Sequence, residues 1–547
     1  MKKFFLIPLL TMLCTVMAWG TEVNSYAALK TALEDATETS VTLTANITIG
    51  SSDAVIKMVG TKTLNFNEFK ITADPWKLEV RGTGVITFEG NGGIEVTGNG
   101  CLDVYSTAII NGGTYIASNK YAIYVNPNGV AEINGGTIKA IADQAALVVE
   151  GATATVNGGL IEGPFGIVVY DQSTLTVNDG TIHGTGSSGI SGYGASTGAS
   201  TINITGGTIY SDAAEGLGIY HPQDGTLNIA GGTISGMTGV YVKSGTVNVT
   251  GGTIQGTGAQ TAYSFNGSGG NPTGDAIVIE ACSYPGGAPE ANITGGTFQS
   301  ANANAIAEYE KNEEVAPADI EVSGGTFNTE VPAEMFAATF APTETSPGVY
   351  TVATADYYRN NVTANNYGTL CLPKAGKVYG ATLYEIEYKE GSSIVLVEVG
   401  SEEVVAGRPY VIQVKPDFTQ ITAMYTSDET ETAQAYKGLV GSYTQALIAQ
   451  SADHCIIKGN KFYHVDSDNV YVGEHRAYIN LAAADFPTKP AASSARRRIV
   501  LHDASAQTTT AVDNVELSEN AQKVMINGEL FIIRGEQMYN AAGQLVK

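Results

Sequence analysis

The pair Gly-Gly followed by Thr, written again and again, constrains this chain more than any other feature. The marks stand at Gly92-Gly93, Gly112-Gly113, Gly135-Gly136, Gly158-Gly159, Asp179-Gly180, Gly206-Gly207, Gly231-Gly232, Gly251-Gly252, Gly295-Gly296 and Gly324-Gly325. Their first positions are 20, 23, 23, 21, 27, 25, 20, 44 and 29 residues apart. A period of this length is the signature of a solenoid. The interval of 44 is close to two periods, so it reads as two turns with one mark lost. Within one period, GTLNIAGGTISGMTGVYVKS (residues 225 to 244), Leu227 and Ile229 alternate with polar residues. Thr233-Ile234 follows the glycines, and Val240 and Val242 alternate again. Three short strands per turn, separated by glycine corners, build a parallel β-helix. Leucine-rich repeats share the length but need Leu at fixed places, and those Leu are missing.

Each corner asks for a backbone that turns without a Cβ clash, which Gly supplies at positive φ. Asp tolerates the same region, which is the expectation for Asp179. Ile229, Ile234, Val240 and Val242 are expected to face one apolar core. Asn111, Asn134, Asn157 and Asn178 precede four successive marks; they form either a ladder of side-chain amides or separate local turn bonds. SYAALKTALEDA, residues 25 to 36, predicts a short amphipathic helix N-capped by Ser25, which would cover the open edge of the first turn.

The sequence divides into five parts. Residues 1–20 carry Lys2 and Lys3, an apolar run and small residues around Gly20, the pattern of a secretory signal peptide. Residues 21–348 are the β-helix with its capping helix. Residues 349–486 lose the glycine marks and alternate as strands (RPYVIQV, CIIKGNKFYHV), predicting an antiparallel, β-sandwich-like domain. Residues 487–522, rich in Pro, Ala, Ser and Thr, read as a flexible linker. Residues 523–547 alternate again around Asn527-Gly528, a hairpin turn pair. Past the leader no stretch is apolar for the ~20 residues of a membrane helix. Cys101, Cys282, Cys371 and Cys455 show no metal spacing; the first two read as buried hydrophobes, and pairing of Cys371 with Cys455 is left open. The formal net charge of −25 argues against nucleic acid as a partner.

Residues 25 to 335 resemble the right-handed parallel β-helix of the pectate-lyase-like superfamily, in particular its members with Asn-Gly-Gly-Thr-Ile repeats. The resemblance implies an all-β fold and a surface that meets polysaccharide. Lyases of that superfamily use a basic residue, often Arg, beside calcium-binding carboxylates. Between Arg81 and Arg359 this chain has no Arg, and 25 Asp and Glu stand against Lys120, Lys139, Lys243 and Lys311. The hydrolases use an Asp-Asp pair, a Gly-His-Gly and an Arg-x-Lys, and none of these occurs in the helix. No catalytic residue is therefore named. A second resemblance, to calcium-holding carbohydrate-binding β-helices, rests on Asp275-Ala276-Ile277 and Glu215-Gly216-Leu217 as distant echoes of Asp-Gly-Ile. It implies no cofactor beyond leaving calcium open.

Sugars are held by aromatic faces and by amide or carboxylate hydrogen bonds. Tyr193, Tyr210, Tyr220, His221, Asp224 and Tyr241 are the candidate ligand-binding residues, with Tyr220 to Asp224 placed at a loop by Pro222 and Gly225. The expected function is that of an exported or cell-surface, non-enzymatic β-helix protein that binds glycan or serves as an adhesive or structural module. The alternative is a polysaccharide lyase or glycoside hydrolase. Residues 523–547 resemble the terminal sorting segments of proteins exported by type IX secretion, which implies secretion machinery as a partner and a secreted or outer-surface location.

Overall fold

The computed structural model describes residues 20–74, 78–98, 100–142, 144–196, 198–312, 314–416, 418–490 and 497–504, together with the backbone of the strands Ala521–Ile526, Glu529–Arg534 and Gln537–Asn540. The signal-peptide reading and the Asn527-Gly528 turn fall outside the described residues. The chain forms two compact units, residues 1–331 with 344–351 and residues 332–343 with 352–547.

The first unit is a parallel β-solenoid. Its first sheet has 13 strands, from Thr21–Val23 to Asp319–Val322; its third has 11, from Ile56–Met58 to Ile306–Glu310. The second has 14, running from Ile47–Ile49 to Thr326–Phe327 and then to two antiparallel strands. Each strand of the third sheet belongs to one turn, so eleven turns are complete. The residue after Gly-Gly-Thr stacks in register through the core, Ile182 on Ile209, Ile234, Ile254 and Phe298. All of these are buried, as are Ile229, Val240 and Val242.

The corner chemistry divides between the two glycines. From Gly113 onward the second is the one at positive φ, 88° at Gly113, 81° at Gly207 and 78° at Gly232. At the Asp179 corner that position is Gly180, with φ 102°, so Asp179 occupies the less demanding first position and accepts a hydrogen bond from the Gly180 amide at 2.8 Å. The first position is limited by close approach instead: a Cβ on Gly231 would lie 2.2 Å from the Thr205 carbonyl oxygen. Outside the corner the amide ladder is present. Asn134 donates to Asn111 at 2.9 Å, Asn157 to Asn134 at 2.8 Å and Asn178 to Asn157 at 2.8 Å. A second ladder, not foreseen, links Asn203, Asn228, Asn248 and Asn292.

The capping helix spans Tyr26–Glu34, with Ser25 Oγ accepting from the Ala28 amide. Lys62, buried in the next turn, donates to the carbonyls of Ala32, Leu33 and Asp35, which satisfies the helix C-terminus. At the other end of the stack Thr326 and Phe327 pair antiparallel with Thr351 and Tyr350, so the parallel ladder of the second sheet passes into an antiparallel pair.

The 44-residue interval is one turn, not two. Thr253 pairs directly with Thr297, and the Thr238–Val242 strand pairs directly with Ile277–Ala281. The extra residues form a loop over 257–274, leaving the ladders on either side unbroken.

In the second unit a four-stranded antiparallel sheet shares a core with a ten-stranded sheet. Pro409–Val414 is buried on both faces: Tyr410 and Ile412 enter one core, Val411 the other. Arg498–Asp503, inside the segment whose composition reads as linker, is a strand paired with Ser393–Glu398. Its alternation (RIVLHD) buries Leu501 in the core, and local pattern outweighs the polar composition around it. The strands Ala521–Ile526, Glu529–Arg534 and Gln537–Asn540 form a three-stranded antiparallel sheet. All four described cysteines are buried and free, so Cys371 and Cys455 are not joined.

Candidate functional site

Two outward features mark the third sheet, and the loop at 257–274 creates the larger of them. A cavity of about 730 Å³ opens between this loop, the turn after Ser188–Ser191 and the segment 283–285. Its floor is the outer side of the sheet at Ser188, Ser191, Leu217 and Tyr220, and its walls are Tyr193, the glycine-rich 267–270 and Tyr284. Glycine allows the walls to close in: a Cβ on Gly194 would lie 2.4 Å from the Tyr284 ring, and one on Gly270 2.8 Å from Leu217. Glu215 on the rim is the only Asp, Glu, Lys or Arg lining the cavity among the described residues.

The loop is held from beneath by a buried polar cluster. Lys243 donates to the carbonyls of Asn266 at 2.6 Å and Gly269 at 2.9 Å, and its Nζ lies 3.5 Å from Glu280. Glu280 accepts from Tyr241 at 2.6 Å and Tyr263 at 3.1 Å. Thr238 Oγ1 accepts from the amides of Thr273 and Gly274. The Lys243, Tyr263 and Thr238 bonds run between the loop and the regular turns, and Tyr241 and Lys243 meet Glu280 from turn to turn beneath it, so the wall rests on charge-assisted contacts.

The six sequence candidates separate here. Tyr193 and Tyr220 line the cavity, Tyr193 at 57% exposure. Tyr241 does point away from the solenoid core, but the loop covers it completely. His221 is not a solvated loop residue: it ends the Leu217–His221 strand on the side of Ile219, is fully buried, and has no partner at either ring nitrogen. Asp224 is exposed and its carboxylate accepts from the Gly225 amide. Tyr210 belongs to the second sheet, stacked 4.3 Å from the His183 ring, whose nitrogens face Glu162 and Asp212. Pro222 and Gly225 mark a real turn, but one that begins two residues later than the strand's inward histidine. Tyr284 and the 267–270 wall escape the sequence reading because the long interval is read as a lost turn. SFNGSGGNPTG, residues 264–274, carries the Gly, Ser, Asn and Pro signal of a loop.

A track of polar aromatics leads along the same outer face. Tyr193 lies 5.9 Å from Tyr170, which shares a hydrogen bond of 2.8 Å with Tyr124, and Tyr124 bonds Glu150. Beyond it, Glu79 and Asp103 are register neighbours on adjacent turns. Arg81 contacts Glu79 at 2.6 Å and covers the Tyr105 ring at 3.3 Å. Burial, with Glu79 adding to it, pushes the Asp103 carboxyl up to about 6. Tyr115 is absent from this track; it lies in the core against Phe66 and Phe88.

Among the described residues no group of three or more His, Cys, Asp or Glu is placed to hold a metal, and no helix is long and apolar enough to cross a membrane. Fold and cavity together define a parallel β-solenoid with a loop-built recess on one face. No family model, curated protein or solved structure matches the chain.

Proposed function

We propose that the solenoid is a glycan-binding module of a secreted or surface-exposed protein, and that the cavity beside Tyr193, Tyr220 and Tyr284 is its binding site. The observation that carries this reading is the cavity lining: tyrosine rings, serine hydroxyls and glycine backbone around a volume of about 730 Å³, with one carboxylate at the rim. Aromatic faces and neutral hydrogen-bonding groups suit a sugar ring, and the shortage of cations disfavours an acidic one. The tyrosine track extends the contact surface along neighbouring turns. A glycan array probed with the full chain, followed by calorimetric titration of the strongest hit, tests it. Tyr193→Ala is expected to weaken binding about tenfold, the loss of one stacking face. Tyr210→Ala, on the second sheet, should leave it unchanged. An array with no saturable hit, or equal affinities for wild type and Tyr193→Ala, ends the proposal.

A second reading, a polysaccharide-degrading enzyme, is favoured by Glu79 and Asp103, two carboxyl groups on adjacent turns of which one contacts Arg81 and the other has its pKa pushed up to about 6 by burial. A reducing-sugar and unsaturated-product screen decides it: turnover that Asp103→Asn abolishes supports catalysis, and no turnover on a broad panel removes it. Export by way of a leader and residues 523–547 is the accompanying proposal. Deleting 523–547 should leave a folded chain trapped in the periplasm of the native host, and normal surface display of the truncated chain contradicts it.

A further inference from the structure

The second unit holds a pair of arginines without carboxylate partners. Tyr357–Asn360 lies at one side of a cavity of about 510 Å³, and the segment Gly473-Glu474-His475-Arg476 closes the other. Arg359 is half-buried there. Its Nε donates to the Tyr357 hydroxyl at 2.9 Å, and Nη2 donates to the carbonyls of Thr369 at 3.0 Å and His475 at 3.4 Å. Every acceptor is neutral, and Nη1 makes no hydrogen bond among the described residues. His475 sits in the left-handed region with φ 52°, which turns its carbonyl to both Arg359 and the Cys371 amide. Its buried Nδ1 has no partner, although the ring is wedged between Tyr357 and Tyr443. Arg476 is exposed and forms no ion pair among the described residues; its side chain folds back over Gly473, where a Cβ would lie 3.2 Å from its Cδ.

Enclosure depresses the Arg359 guanidinium, and repulsion from Arg476 adds to the effect. The two cations therefore stand close enough to oppose each other, in a chain whose net charge is −25. Asp356 and Glu474 also line the cavity, but neither reaches ion-pair distance of Arg359 or Arg476, and Asp356 accepts from the Tyr425 amide. A guanidinium with its Nη1 edge free and a second one beside it make a fork that planar or tetrahedral oxyanions satisfy with paired charge-assisted bonds.

We propose that this cavity binds a small oxyanion group, a carboxylate or a sulfate or phosphate, between Arg359 and Arg476. The site is independent of the glycan reading and lies in the other unit. The test is calorimetric titration of the full chain with sodium acetate in one arm and sodium sulfate in the other, at constant ionic strength set with chloride. Saturable one-to-one binding in either arm is expected, and the stronger arm assigns a planar or a tetrahedral ligand. Arg476→Ala should weaken it about tenfold, as the loss of one charge-assisted pair does. Glu474→Gln, which removes a like charge from the rim, should tighten it. Both positions are exposed, so the test stands even where Arg359→Gln fails to fold. No saturable binding in either arm, an affinity unmoved by Arg476→Ala, or weaker anion binding in Glu474→Gln would each overturn the proposal.

Discussion

A single histidine shows how much one residue's direction matters. His221 follows Tyr220 in a strand that alternates in and out, so it must face the same way as Ile219 and Val242, its register partner. Burial lowers its pKa from 6.5 to about 4. The unfolded chain therefore binds the proton first. Stability is unaffected above pH 6.5, falls as pH drops from 6.5 towards 4, and is then lower by roughly 3 kcal/mol from this group. Urea unfolding of the solenoid across that range checks it: His221→Leu should remove this part of the pH dependence, and an unchanged slope would show that the ring is not held neutral. Ile234 tests the core in the same way. It lies between Ile209 and Ile254, fully buried, and Ile234→Ala is expected to cost about 2–5 kcal/mol. A melting curve that matches the parent would contradict its inward placement.

Among elements, the loop at 257–274 depends on groups that belong to the regular turns. Lys243 and Glu280 are both fully buried, and removing one leaves the other's charge without compensation. Lys243→Met is expected to cost about 3–5 kcal/mol, felt first as opening of the loop. Hydrogen exchange would read it at the amides of Thr273 and Gly274, with the core strand Thr253–Gly256 remaining protected. Equal protection of the loop in both proteins would mean that Thr238 alone suffices to hold it. This dependence also explains what the sequence discloses. Period, corner and core column are local patterns repeated many times, so Gly-Gly-Thr-Ile states them openly. The cavity is a single event. The 267–270 wall meets Tyr193 only because an insertion folds back over earlier turns, with Tyr284 joining from the segment after Ile277–Ala281, and no periodic signal records a contact made once. His221 fails for a related reason: Pro222 and Gly225 announce a turn, but the alternation that sets the histidine's direction is carried by Ile219 and Tyr220 before it.

At the scale of the whole molecule, 54 acidic residues against 29 basic ones leave a net charge of −25 that the folded chain must concentrate. Self-repulsion of that kind is screened by salt, with a Debye length of about 8 Å at 0.15 M. The melting temperature is expected to rise with sodium chloride from low ionic strength to that range; a flat or falling response would show that local ion pairs such as Lys139–Glu162 already neutralise the field.

The amide ladders carry one more consequence. In every recorded step the later asparagine gives its hydrogen to the earlier one: Asn157 to Asn134, Asn178 to Asn157, Asn248 to Asn228, Asn292 to Asn248. The corner amides obey the same order, Thr208 to Gly180, Thr233 to Gly207, Thr253 to Gly232. At these corners the stack is therefore a one-way template, while along the third sheet amides such as Ala122 and Val240 donate forward to Ala146 and Ala276. Each finished turn presents waiting acceptors to the turn that follows, and that turn is always the next to leave the ribosome. The order in which the chain is made is also the order in which it can be laid down.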